Sequence, residues 1–190
     1  PGTRGIFSFK GHIAYGWYTD AKWQKKFNAG TNNIYTTGSM FHSKALFIRL
    51  GNREVFPLEV IGGLEMACQF GGTGWNLQQY GGGALGQGIN LGGNLWTAFL
   101  PGGGDVNDEN YTNAAGNHVG SWHLRLDWIQ KNWSIGLYME HVFEDHSQMF
   151  LQYGWKDMLL GLDVNLPDNP FLSALVYEYN STMHQSGPIY

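Results

Sequence analysis

The sequence predicts an all-β protein, an antiparallel transmembrane β-barrel, on three observations. Apolar and polar residues alternate with the two-residue period of a strand over stretches of roughly 9 to 13 residues, longer than the roughly five or six of a sandwich strand and matched to the roughly 9 to 11 that cross a bilayer. The faces opposite the apolar ones hold few charges, of both signs, set among Gly and Ala, which suits mutual neutralisation in a barrel lumen better than contact with water. Aromatic residues gather near strand ends, as Tyr15, Trp17, Trp122, Trp128 and Trp133 do, where an interfacial girdle places them.

The elements follow in order. From Ile6 to Tyr18, Phe7, Phe9, Gly11, Ile13, Tyr15 and Trp17 fall on one face and Ser8, Lys10, His12, Ala14 and Gly16 on the other. Thr19 to Gly38 is a polar stretch, and Phe41 to Leu50 is a second strand with mixed faces. Pro57 to Gly71 sets Leu58, Val60, Leu64, Met66, Cys68 and Phe70 opposite Glu59, Ile61, Glu65, Ala67 and Gln69. Residues 71–118 hold 14 of the 28 glycines and no sustained period, so 72–117 is expected to be one long loop. The spacing of Leu91, Leu95, Trp96 and Phe99 predicts a short helix inside it. Alternation resumes with Trp122, Leu124, Leu126 and Trp128 opposite Ser121, His123, Arg125 and Asp127, and Lys131-Asn132 turns it into Trp133 to Glu140. Strands over Met158–Leu166 and Phe171–Asn180 complete about seven in all. Pro1 in place of Met, and an end at Ser186–Tyr190 that reads as a turn, lead to the expectation that 1–190 is a single partial barrel domain, about seven strands of a larger barrel.

Composition narrows the function. Charged residues make up 14% of the chain, aromatics 15%, and the glycines have no collagen period, which excludes disorder and collagen. A net charge of -4 with no basic stripe argues against a nucleic-acid partner. The single cysteine, Cys68, forbids a disulfide within the chain, no apolar run nears the roughly 18 residues of a membrane helix, and residues 1–20 show no secretory leader.

No catalytic constellation emerges, and no cofactor or metal is expected. Gly81-Gly82-Gly83-Ala84-Leu85-Gly86 spells a dinucleotide fingerprint but follows polar residues and lacks a βαβ setting. His141, Glu144, Asp145 and His146 read as a polar turn before a metal site, since residues five apart do not share a strand face. Glu59 and Glu65 lie about 20 Å apart along one strand, too far for a glycosidase pair. Glu59, Glu65, His123, Arg125, Asp127 and Glu140 instead suit a structural lumen network, with Arg125 and Asp127 neutralising Glu65 or Glu140 across strands. The loop aromatics Trp75, Tyr80, Trp96 and Phe99 are the expected sugar-stacking residues.

Five blocks in order carry a resemblance: His42-Ser43-Lys44-Ala45-Leu46-Phe47-Ile48-Arg49-Leu50-Gly51, Gly63 to Gly72, Gly116 to Trp122, Phe143-Glu144-Asp145-His146-Ser147, and Tyr177 to Thr182 with Gln185-Ser186-Gly187-Pro188. Together they resemble the capsule assembly protein Wzi family. The resemblance implies a Gram-negative outer-membrane β-barrel that binds capsular polysaccharide and helps attach it to the cell surface, lectin-like and not enzymatic, with outer-membrane lipid as its other partner. The alternative from another class is a secreted β-sandwich glycoside hydrolase or carbohydrate-binding domain, with its apolar faces packed inside.

Overall fold

The computed structural model describes residues 5–76, 88–90, 95–99, 117–144, 149 and 155–183. About 60% of them are strand, mostly in antiparallel sheet. In chain order the elements are β1 (Phe7–Trp17), α1 (Ala21–Phe27), β2 (Tyr35–Thr37), β3 (Met40–Gly51), β4 (Leu58–Phe70), β5 (Thr73–Trp75), β6 (Gly88–Asn90), α2 (Leu95–Phe99), β7 (Asn117–Ile129), β8 (Ser134–Glu144), β9 (Leu159–Asn165) and β10 (Ala174–Asn180). Seven strands form one sheet in the order β1-β3-β4-β7-β8-β9-β10, and β2-β5-β6 form a small second one. Among the described residues β1 and β10 stand at the two ends of the larger order, unpaired with each other.

The chain divides into two compact units, the first of Pro1–His12, Lys44–Met66 and Gly120–Tyr190, the second of Ile13–Ser43 and Ala67–Val119.

In the first unit, register fixes the faces. Tyr138 pairs with Gly161 and Gly161 with Glu178, while Leu137 pairs with Leu162 and Leu162 with Tyr177. One face of β8, β9 and β10 is therefore polar and the other apolar, because side chains alternate along each strand. The apolar face is the open one: Phe9 is 71% exposed, Leu137 52%, Leu175 53% and Tyr177 69%, and Leu46, Leu50, Leu124 and Tyr179 are exposed as well. A β-sandwich buries such a face against a second sheet. Burial here falls on a small apolar cluster, Met66, Phe143 and Met149 with Leu64 and Trp122 against it, and on the polar residues Glu59, Ser121, His141 and Asp157.

Glycines on the polar face have a spatial job. A side chain at Gly63 would run into the Phe47 ring, and one at Gly161 into the Tyr138 ring. Each ring thus fills the space that its cross-strand glycine leaves, recovering apolar contact at a residue with no side chain of its own.

The connections obey turn chemistry. The expected β7–β8 hairpin is present, with Gln130 N–H bonded to the Trp133 carbonyl at 2.9 Å. Between β9 and β10, the Asn169 amide donates to the carbonyls of Pro167 (2.9 Å) and Leu172 (2.6 Å) and accepts from the backbone of Phe171 (3.0 Å) and Leu172 (2.8 Å).

The second unit contains α1 and α2. The short helix expected in the loop is α2, and its Ala98 is buried with Cys68 and Phe70, with Met40 packed against them. His118 Nε2 reaches the Ala98 carbonyl at 3.0 Å, and the Tyr15 hydroxyl donates to Leu95 at 3.2 Å. Inside the stretch read as merely polar, α1 forms. Gln24 binds Asp20 through both backbone (2.9 Å) and side chain (2.8 Å), and Lys25 and Lys26 occupy the last turn, where the helix dipole favours cations. At seven residues it is too short to print a clear period in the sequence.

Candidate functional site

The polar face of the first unit is a chain of charge pairs. At one end Glu59 accepts from Arg49 at 2.6 Å and from Arg53 at 2.8 Å, and Arg49 also donates to the Ser8 hydroxyl at 2.9 Å. The hydrogen bond to Glu59 holds the Arg53 guanidinium above its usual pKa, so Arg53 stays charged. A carboxylate buried this far is tolerable only because two cations compensate it.

Near the middle, Ser121 Oγ lies 2.8 Å and Glu65 Oε1 3.7 Å from His123, and the Phe47 ring sits against the imidazole. Both oxygens approach the same ring nitrogen, Nε2. An acyl-transfer relay needs the serine on one nitrogen and the acid on the other, so this trio does not have that geometry.

Further along, Arg125 Nη2 lies 2.7 Å from Asp127 and 2.8 Å from Asp163. Asp163 is on β9, two strands from Arg125, and the guanidinium crosses β8 at Gly136, where an added side chain would collide with both charged groups. The same guanidinium lies 5.4 Å from the centre of the Tyr138 ring, whose hydroxyl donates to Glu178 at 2.5 Å. The sequence set Arg125 and Asp127 against Glu65 or Glu140; instead the two pair with each other, Arg125 reaches on to Asp163, and Glu65 meets His123. Glu140 is half-buried on β8 and takes no part in these pairs.

The second unit presents a different surface. Trp75 is half-buried: its indole N–H donates to Thr37 at 3.0 Å, its ring stacks on Tyr35 (6.1 Å, 9°), and Lys25 Nζ lies 4.7 Å from its centre. Asn76, with a left-handed φ of 60°, donates to the carbonyls of Thr31 (3.2 Å) and Asn33 (2.8 Å) and so ties the 31–33 loop beside it. Lys22, Trp23, Lys25, Lys26 and Phe27 are all exposed on α1, and Trp23 and Phe27 stack at 5.0 Å and 13°.

Of the expected sugar-stacking residues, Trp75 therefore has both ring and N–H engaged, and Phe99 lies half-buried beside His42 at 5.4 Å. Tyr80 and the Trp96 side chain lie outside the described residues, as do Asp145 and His146 of the expected polar turn. His141 Nδ1 sits 2.8 Å from the Asp157 carbonyl. Sequence reasoning missed Trp23 and Phe27; their spacing of four with lysines between was the signal.

The geometry defines an antiparallel β protein with a paired polar face, an open apolar face and a separate aromatic and basic surface. No family model, curated protein or solved structure matches the chain.

Proposed function

We propose that the seven-stranded sheet is wall of a β-barrel in the outer membrane, and that the protein binds capsular or other surface polysaccharide and helps assemble or attach it at the cell surface, as a lectin-like, non-enzymatic component. The observation that carries the reading is the inverted polarity of the first unit. Leu46, Leu50, Leu124, Leu137, Leu175 and Tyr177 stand open on one face, while on the other Arg49 and Arg53 pair with Glu59, and Arg125 with Asp127 and Asp163. An apolar surface of that extent on a water-soluble monomer is unusual, and lipid is the surrounding that satisfies it. Glycine–aromatic pairs and lumen charge networks fit the same surrounding, since a barrel interior must be filled and neutralised. The polysaccharide part is supported by the resemblance in sequence and by the exposed aromatic rings of the second unit.

The test is sedimentation of the full chain with and without detergent, followed by surface-polysaccharide binding in detergent. Pelleting without detergent and glycan binding with it are expected. A soluble, cooperatively folded monomer in plain buffer refutes the membrane part. Glycan binding that survives the Trp75→Ala, Trp96→Ala double variant removes those two rings from the contact.

A further inference from the structure

We infer that the outward face of α1 binds an acidic polysaccharide, with Trp23 and Phe27 stacking on sugar rings and Lys22 and Lys26 taking the sugar carboxylates. The inference rests on the proposed polysaccharide role and names the chemical class of the ligand.

The helix turns half-buried Ala21 and Gln24 and buried Asn28 inward. Outward it carries two rows, because residues four apart are neighbours on a helix: Lys22 above Lys26, and Trp23 above Phe27. Trp23 is 59% and Phe27 66% exposed; their rings stack on one another at 5.0 Å, so the pair presents its outer faces and edges as an apolar surface beside a strip of positive charge. That is the complement of a uronate residue, whose ring carries an apolar C–H face and a carboxylate at its edge. Among the described residues no carboxylate lies within ion-pair distance of Lys22 or Lys26, although the chain as a whole is acidic. Like charges four apart on a helix destabilise it, and a bound polyanion removes that cost.

Lysine 25 extends the same surface towards Trp75, which Tyr35 and Thr37 hold in place. A lipid surface is the weaker match. An interfacial helix needs its charges segregated from a broad apolar face, and α1 has two apolar rings directly beside its lysines.

The experiment measures binding of the full chain, in detergent, to polygalacturonate, to the same polymer with its carboxyls methyl-esterified, and to phosphatidylglycerol vesicles. Polygalacturonate is expected to bind, with affinity about fivefold or more weaker for the ester and for the Lys22→Gln, Lys26→Gln double variant. The Trp23→Ala, Phe27→Ala double variant is expected to weaken binding to both polymers. Far-UV circular dichroism checks that each variant keeps the fold, and the ester comparison needs no variant at all. Equal binding of acid and ester, or undiminished binding by the lysine variant, overturns the inference and leaves the polysaccharide role standing. Vesicle binding that falls in the α1 variants while polygalacturonate binding does not assigns the surface to lipid and overturns it too. If neither this polymer nor any surface polysaccharide binds, the proposed function fails along with it.

Discussion

Tyr138 covers Gly161, its registered partner on the neighbouring strand, and from that position its hydroxyl reaches Glu178 one strand further on at 2.5 Å. One side chain thereby ties β8, β9 and β10 together on the polar face, and the absence of a side chain at 161 is what permits it.

Substituting Gly161→Val should therefore displace the Tyr138 ring and break its bond to Glu178. The expected cost is about 1–3 kcal/mol of stability, typical of overpacking. Urea unfolding of the variant, alone and combined with Tyr138→Ala, checks it: the two losses should be clearly non-additive, since the second change removes the ring the first collides with.

Replacing Arg125 by Met leaves Asp127 and Asp163 facing each other without their shared cation. A loss of about 1–3 kcal/mol is expected, partly recovered by adding Asp163→Asn. Glycan affinity of the folded fraction should stay unchanged, because this network lies in the first unit and α1 in the second. Unfolding curves and binding isotherms on one preparation separate the two effects.

Leu137→Lys asks which solvent meets the open face. In a bilayer a lysine near mid-depth on a barrel's outer surface costs about 2–4 kcal/mol. In water the same change at a half-exposed site stays within about 0.5 kcal/mol. Folding yield into lipid vesicles, compared with that of the parent chain, gives the answer.

The turn after β9 offers an independent check on local structure. Asn169→Ala removes two donated and two accepted hydrogen bonds at once, for an expected loss of about 1–2 kcal/mol. Asn169→Asp keeps the acceptor and should fall in between, measured by the same unfolding assay.

Much of this sheet was legible from alternation alone. Leu124, Leu126 and Trp128 do share a face opposite Arg125 and Asp127, and the hairpin at Lys131-Asn132 lies where its turn residues put it. Periodicity says which residues stand together but not who their cross-strand partners are. That is why the pairing of Asp163 with Arg125 was missed: it depends on Gly136 lying between them, a three-strand relationship invisible to any one strand. Helix α1 was hidden for another reason. Seven residues rich in lysine have no apolar stripe to bury, so their two aromatics looked like incidents in a polar stretch. The expected sugar rings were sought where glycine was densest, whereas the exposed stacked pair lies on a helix earlier in the chain.

The crossing of Arg125 over Gly136 also acts as a proofreading device for strand alignment. Should β8 slide by one residue against its neighbours, Ile135 or Leu137 would occupy the gap, the guanidinium could no longer reach Asp163, and an aliphatic side chain would sit among charges. A long strand with two nearly equivalent edges has few such checks on its alignment. Here the error is penalised electrostatically, by the side chain that a glycine does not have.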